Sequence, residues 1–119
     1  MDLIIYSSIM EGAGERLQKM IEAVVPTEGK NICRTIESLS HRLRQPAKKP
    51  VVAVLLATDR KDLLDILSIR DLLRDIRLIL ILPDREEDTL IKGHTLGPRY
   101  LTYLDSDFWE VAAVLGKML

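Results

Sequence analysis

The fold of this chain is decided by VVAVLLA at residues 51–57 and LILIL at residues 78–82, two stretches without a polar residue. Both are rich in residues that favour β-strands. A strand that is apolar at every position has to be covered on both faces, which is typical of a parallel sheet flanked by helices. We therefore predict that the two stretches are buried strands and that residues 51–57 lie at the centre of the sheet.

Weaker strand signals lie on either side of these two stretches. Leu3–Tyr6 is a short apolar run, and Tyr100–Leu104 follows a Gly-Pro pair. The stretch from Asn31 to Ile36 alternates between apolar and polar residues, which predicts an edge strand.

Apolar residues at helical spacing separate the strand signals. The first predicted helix has Leu17, Met20, Ile21 and Val24 on one face and is closed by Pro26 and Gly29. Three more are predicted from Glu37 to Gln45, from Thr58 or Asp59 to about Asp75, and from Arg85 to about Lys92, with Gly93 near the end of the last. The fifth has Phe108, Val111, Ala112, Leu115 and Leu119 on one face. Strand and helix alternate five times, and crossovers of this length call for parallel strands. We predict one α/β domain over residues 1–119, with a doubly wound five-stranded parallel sheet of flavodoxin-like order 2-1-3-4-5.

Composition excludes several classes of function. The net charge of −1 gives no global positive field for nucleic acid, so a nucleic-acid partner is not expected despite the basic stretch 30–49. The single cysteine, Cys33, is expected to be a buried small hydrophobe, and His41 and His94 are expected to be exposed. The N-terminal residues lack a basic leader, and no apolar run is long enough to span a bilayer, so we expect no membrane contact and a cytoplasmic location.

The chain resembles the receiver domains of response regulators over essentially its whole length. The stretches that carry the resemblance are Val54–Ala57, Ile79–Pro83 and Gly97–Tyr103. The resemblance implies a receiver-like fold whose ligand edge lies at the carboxyl ends of the strands. In that family this edge holds two acidic residues for magnesium, a phosphoacceptor aspartate, a Ser or Thr, and a Lys.

All five of these positions depart from the family pattern. Aligned by the strand ends, the chain has Ser7 and Ser8 at the acidic pair, Ala57 at the phosphoacceptor, Pro83 at the Ser or Thr, and Tyr103 at the Lys. Magnesium prefers carboxylate oxygens, and phosphoryl transfer needs cations to offset the developing charge. The resemblance therefore implies a degenerate pocket that is not phosphorylated in the usual way.

Two alternatives use the same edge. Asp59, Asp84 and Asp105 follow the third, fourth and fifth strands and could form a metal site or a displaced phosphoacceptor, or they could be helix caps and loop residues. The Gly12–Gly14 loop could hold a phosphate, a nucleotide or a flavin at a helix N-terminus, or it could be an ordinary loop, since it lacks a complete phosphate-binding motif.

Aromatic residues are concentrated in the C-terminal part of the chain, as Tyr100, Tyr103, Phe108 and Trp109. Because interfaces favour aromatic side chains, Tyr100, Phe108 and Trp109 are candidate interface residues. The alternative is that Phe108 belongs to the core and Tyr103 fills the space of the lysine. The sequence thus predicts a non-enzymatic signalling or adaptor domain without a cofactor, which binds a protein partner or forms a homodimer through residues 86–119.

Overall fold

The structure is a computed structural model that describes residues 2–9, 12–24, 30–46 and 50–118. Its strands are β1 (Asp2–Ser7), β2 (Lys30–Cys33), β3 (Val51–Leu56), β4 (Arg77–Leu82) and β5 (Tyr100–Tyr103). Its helices are α1 (Ala13–Glu22), α2 (Ile36–Arg44), α3 (Arg60–Ser68), α4 (Glu87–His94) and α5 (Trp109–Met118), with a 3₁₀ turn at Arg70–Leu73. The five strands are parallel and lie in the order β2-β1-β3-β4-β5. The predicted topology is confirmed.

Helices cover both faces of the sheet. α2, α3 and α4 pack on one face, where the core includes Tyr6, Leu39, Leu63 and Leu80. α1 and α5 pack on the other face, around Leu17, Val54, Ile81, Phe108 and Leu115.

The two strands that decided the fold are buried along their length. Every residue of Val52–Ala57 and Leu78–Leu82 is buried. The ladder extends one residue beyond β3, because the Ala57 N–H donates to the Ile81 carbonyl at 2.9 Å. Full burial on both faces explains why neither strand shows polar alternation.

The second strand ends earlier than the sequence predicts. β2 stops at Cys33, and the expected strand residues Thr35 and Ile36 belong to the start of α2. Thr35 is the N-cap, and its hydroxyl accepts a hydrogen bond from the Ser38 N–H at 3.0 Å. Capping decided this boundary, since a side-chain acceptor for a free helix N–H stabilises a helix start at Thr35.

The third helix is shorter than predicted. Asp59 is its N-cap, accepting from the Asp62 N–H at 2.8 Å, but the helix ends at Ser68 instead of continuing to about Asp75. Ile69 leaves the helical conformation, and the 3₁₀ turn then brings Leu73 into the core. Two short segments therefore bury the apolar positions that the sequence pattern assigned to one helix.

The first, fourth and last helices also differ in their boundaries. α1 ends at Glu22, so Val24 is exposed and lies outside the helix, while the predicted stops Pro26 and Gly29 fall outside the described residues. α4 runs from Glu87 to His94 and includes Gly93, where a Cβ would lie 3.1 Å from the side chain of Leu82. This glycine lets α4 pack closely on β4.

The last two boundaries lie at the C-terminal end. β5 stops at Tyr103, one residue before the prediction, and α5 begins at Trp109, while Leu119 lies outside the described residues. Among the described helices, none has the length and apolar character needed to cross a membrane.

Candidate functional site

The five positions of the expected pocket lie at the carboxyl ends of neighbouring strands. Ser7 ends β1 with Ser8 directly after it, Ala57 follows β3, Pro83 follows β4, and Tyr103 ends β5. The register pairs Ser7 with Leu56 and Leu82 with Tyr103. The topology thus brings all five positions to the edge where parallel sheets bind ligands.

Ser7 and the glycine loop pack against each other. The Ser7 hydroxyl is buried and donates to the Ile9 carbonyl at 2.6 Å. A Cβ at Gly14 would overlap that carbonyl oxygen and lie 2.6 Å from the Ser7 Oγ. Gly14 is therefore required for the close approach of this chain to itself, and the space beside it is filled by Ile9 and Ser7, which argues against a phosphate at this glycine.

Asp62 is an acidic residue of this edge that sequence reasoning missed. Its carboxylate is buried, and one oxygen accepts hydrogen bonds from the Ser8 hydroxyl at 2.8 Å, from the Thr58 N–H at 3.0 Å and from the Thr58 hydroxyl. Asp62 lies in the first turn of α3 and so joins the end of β1 to the loop after β3. The available signal was its position three residues after the cap Asp59, where acidic side chains favour a helix start.

The three aspartates of the metal alternative are held by different partners. Asp59 caps α3, Asp84 pairs with Arg60 at 3.4 Å, and Asp105 pairs with Arg85 at 3.0 Å. No three histidine, cysteine or carboxylate side chains within the described ranges lie close enough to hold a metal ion. The structure therefore does not bring Asp59, Asp84 and Asp105 together as a metal site would require.

Tyr103, at the position where the resemblance implied a lysine, is covered by a cation. The Arg85 guanidinium lies 4.0 Å from the centre of its ring. The ring is half-buried and packs against the core on the α4 side of the sheet. This packing favours the alternative in which the Tyr103 ring fills the space that a lysine would occupy.

Phe108 is fully buried, which favours the alternative in which it belongs to the core. Its side chain is fully buried between α1 and α5, and its backbone has a φ of 63° directly before α5. This left-handed conformation is unfavourable for a bulky residue, and it turns the ring inward ahead of the helix. The Arg16 guanidinium covers the ring at 5.1 Å.

Large apolar side chains are exposed on α4 and α5. Trp109 at the start of α5 is 64% exposed, and Ile91 of α4, which the sequence analysis did not single out, is 57% exposed. The Tyr100 ring is half-buried, and its hydroxyl donates to the Glu110 carboxylate.

Trp109 and Tyr100 lie on opposite flanks of α5. Glu110 contacts Tyr100, whereas Trp109 shares its side of the helix with Gly116, seven residues further on. A Cβ at Gly116 would lie 3.6 Å from Val24, which follows α1. Trp109 therefore faces the α1 side of α5, and Tyr100 lies on the β5 side.

The Tyr6 side chain of β1 is buried on the face of the sheet that α2 and α3 cover. Burial raises the pKa of Tyr6 to about 12, and the charges of Asp62, Asp65, Glu37 and Asp59 add to the shift. Burial likewise raises the pKa of the Cys33 thiol, as expected for a buried small hydrophobe.

The chemistry available at this edge is that of hydrogen-bonded serines, a satisfied carboxylate and ion pairs. Ala57, at the expected phosphoacceptor position, carries a buried methyl group, and Tyr103, at the expected lysine position, carries a ring. No protein-family model matches the chain, and no curated protein matches it significantly.

Proposed function

We propose that the chain is a receiver-like signalling or adaptor domain that binds another protein, or a second copy of itself, and is not controlled by aspartyl phosphorylation. The observation that carries the proposal is Ala57. It stands at the phosphoacceptor position, it is fully buried, and its N–H is part of the sheet ladder with Ile81. A methyl group in this position cannot accept a phosphoryl group.

The surroundings of Ala57 support the same conclusion. The Ser7 hydroxyl is bonded to a backbone carbonyl, and the Ser8 hydroxyl is bonded to Asp62. A magnesium-dependent phosphoryl transfer needs carboxylate ligands and a cation beside the phosphate. Asp62, a buried carboxylate at this edge, already accepts three hydrogen bonds on one oxygen.

The proposed interaction surface lies in residues 86–119. Among the described residues, its exposed large apolar side chains are Ile91 on α4 and Trp109 on α5; the two helices pack on opposite faces of the sheet, so each residue is a separate candidate contact. Single exposed apolar residues are common on protein surfaces, but tryptophan is among the residue types enriched at interaction hot spots, which supports Trp109 first. Because Phe108 lies in the core, the candidate contact residues of this segment are Trp109 and Ile91, whose side chains are exposed to solvent. A role in two-component signalling and a cytoplasmic location are parts of this proposal.

The test compares Ile91→Ser and Trp109→Ser with Leu64→Ser, a matched control on α3 where Leu64 is 52% exposed. Sedimentation velocity measures self-association, and a photo-crosslinking amino acid at position 91, 109 or 64 captures a protein partner for identification. We expect at least one of Ile91→Ser and Trp109→Ser to abolish the association that the wild type shows. The Leu64→Ser variant should retain it.

Two outcomes would contradict the proposal. One is an association that survives both substitutions in residues 86–119 and is lost in Leu64→Ser. The other is incorporation of phosphate from acetyl phosphate in the presence of magnesium, because the proposal leaves no acceptor at the edge of the sheet.

A further inference from the structure

β5 lies at one edge of the sheet and is paired on one side only. Its neighbour is β4, and no described strand pairs with its other side. The unpaired N–H and C=O groups of an edge strand are a template for pairing with another strand. β5 is therefore a place where one more strand could be added to the sheet.

The ladder with β4 shows which backbone groups of β5 face outward. Leu82 lies opposite Tyr103, and its carbonyl accepts a hydrogen bond from the Leu104 N–H at 2.8 Å. In a parallel ladder a residue bonds to the neighbours of the residue opposite it, so the backbone groups of Tyr103 face away from β4. The same register makes Leu101 the other outward residue. The Tyr103 carbonyl accepts from the Ser106 N–H at 3.0 Å, whereas the Tyr103 N–H and both groups of Leu101 form no hydrogen bond with the described residues.

A groove of about 380 Å³ lies along this open side of β5. It is lined by all four residues of the strand, by Arg85, and by Ser106, Asp107 and Glu110 of the segment that follows. The Ser106 Oγ is buried and has no hydrogen-bond partner among the described residues. Buried polar atoms without a partner are rare in folded proteins. The groove therefore contains unsatisfied groups both on the strand and beyond its end.

The two edge strands of the sheet differ in how they are protected against pairing. β2 begins with Lys30, and charged residues, especially lysine, discourage pairing at an edge. β5 reads Tyr-Leu-Thr-Tyr, without a charge or a proline, and its Tyr and Thr residues favour strands. The sequence of β5 is therefore typical of a strand that accepts a neighbour.

Unpaired charges of opposite sign lie at the two ends of β5. Arg99 directly precedes the strand, and Asp107 lies between the strand and α5. Both are exposed, and neither belongs to an ion pair of the described residues. The Asp107 carboxylate accepts a hydrogen bond from the Trp109 N–H at 3.1 Å, but it has no counter-charge there. Two antiparallel β5 strands would place the Arg99 end of each beside the Asp107 end of the other.

We propose that two copies of the chain associate by antiparallel pairing of their β5 strands, which joins the two sheets across a twofold axis. A second copy is the partner because the edge is complementary to itself in hydrogen-bonding groups and in charge, and twofold dimers are the commonest oligomers. Arg99 of each copy then pairs with Asp107 of the other. The inference rests on the proposed function and narrows it to self-association through β5. Trp109, on the far flank of α5, takes no part in the pairing, whereas Ile91 belongs to α4, the helix that packs on Leu101.

A matched pair of substitutions at Leu101 tests the main-chain pairing. Leu101→Pro removes the outward N–H without removing a bond to β4, and Leu101→Val keeps this N–H with a side chain of similar size. We expect sedimentation velocity to show a dimer for the wild type and for Leu101→Val, and a monomer for Leu101→Pro. The amide NMR spectrum of Leu101→Pro should remain that of a folded protein.

Exchange of the two end charges tests the antiparallel arrangement independently of Leu101. Arg99→Glu and Asp107→Arg should each weaken the dimer roughly 2- to 30-fold, the range for the loss of two exposed ion pairs. A mixture of the two variants should form a mixed dimer as tightly as the wild type, because each exchanged charge then meets its opposite. Arg44→Glu on α2 is the control, since Arg44 is exposed and takes part in no described ion pair.

Amide hydrogen exchange reports on the pairing residue by residue. The Leu101 and Tyr103 amides should exchange more slowly as the protein concentration is raised, because pairing covers them. The Thr102 amide faces β4 and should be protected at every concentration, which makes it an internal control.

Three results would overturn the pairing. They are a wild type that stays monomeric up to millimolar concentration, a dimer that persists in folded Leu101→Pro, and a mixture of Arg99→Glu and Asp107→Arg that associates no more tightly than either variant alone. If Leu101→Pro does not fold, the mixture decides. A dimer kept in Leu101→Pro and lost in Ile91→Ser or Trp109→Ser, or capture of another protein by a monomeric chain, would overturn this inference and leave the proposed function intact.

Discussion

Replacement of Asp62 by alanine tests how the carboxyl edge of the sheet is held together. The substitution removes the acceptor of hydrogen bonds from Ser8, the Thr58 N–H and the Thr58 hydroxyl. A hydrogen bond to a charged group contributes about 1.5–3 kcal/mol, but exposed Ser8 can bond to water instead. Loss of a like charge beside Asp59 and Asp65 offsets part of the cost. We expect Asp62→Ala to lower the free energy of unfolding by about 2–3 kcal/mol.

The effect is large enough for two independent measurements. At an unfolding entropy of about 2.1 cal/mol/K per residue, a chain of 119 residues loses about 4 °C of melting temperature per kcal/mol, so the midpoint should fall by about 8–12 °C. Urea unfolding should show a lower midpoint with an unchanged m-value. Asp62→Asn keeps one oxygen acceptor and should cost about 1 kcal/mol.

Asp71→Ala is the control, because Asp71 is exposed and its ion pair among the described residues is with Arg74, three positions further on. It should change stability by less than about 0.5 kcal/mol. If Asp62→Ala is as stable as Asp71→Ala, the three hydrogen bonds contribute nothing measurable, and Asp62 does not hold this edge together.

Four further predictions concern burial. The pKa of the Tyr6 phenol is raised to about 12, whereas in the unfolded chain it is near 10.0, so between these values unfolding releases the proton. The free energy of unfolding should therefore fall by about 2–3 kcal/mol between pH 10 and 12, as measured by urea titration. Tyr6→Phe should lose this part of the pH dependence. Phe108→Ala should lower the free energy of unfolding by about 3–5 kcal/mol in the same assay, and Trp109→Ala by less than about 0.5 kcal/mol. Equal losses would contradict the burial of Phe108 and the exposure of Trp109. Cys33 should react with iodoacetamide only as fast as the protein opens, so rapid alkylation of the native protein would show that the thiol is accessible. Gly14→Ala should lower the melting temperature, because its Cβ meets the Ile9 carbonyl, whereas an unchanged melting temperature would show that the loop has room.

The fold was predictable because its central strands are apolar at every residue. Val52–Ala57 and Leu78–Leu82 are buried on both faces, and only a parallel sheet with helices on both sides provides that environment. Boundaries were less predictable, because single side chains decide them. Thr35 caps α2 and shortens β2, and Ile69 ends α3 by leaving the helical conformation. Neither event changes the apolar periodicity from which the helices were inferred.

The candidate site was only partly predictable. The strand-end positions Ser7, Ala57 and Tyr103 follow from topology, and the structure places them at one edge. The role of Asp62 depends on Ser8, which is 54 positions away, so only folding brings the two together. Phe108 fits a helical stripe in the sequence, yet its positive φ places it before α5, and a periodicity argument does not detect such a conformation.

By our proposal, the edge of the sheet does not respond to phosphorylation chemistry. This proposal is tested most directly by a two-dimensional amide NMR spectrum of the labelled protein, recorded before and after addition of Mg²⁺ and then beryllofluoride, a mimic of the aspartyl phosphate. We predict that the amide resonances of Ser7, Ala57, Asp59 and Tyr103 do not move. Shifts of these resonances at stoichiometric Mg²⁺ or on addition of beryllofluoride would show that nearby aspartates bind these ions at the edge of the sheet. That result would contradict the proposal that the edge does not respond to phosphorylation chemistry.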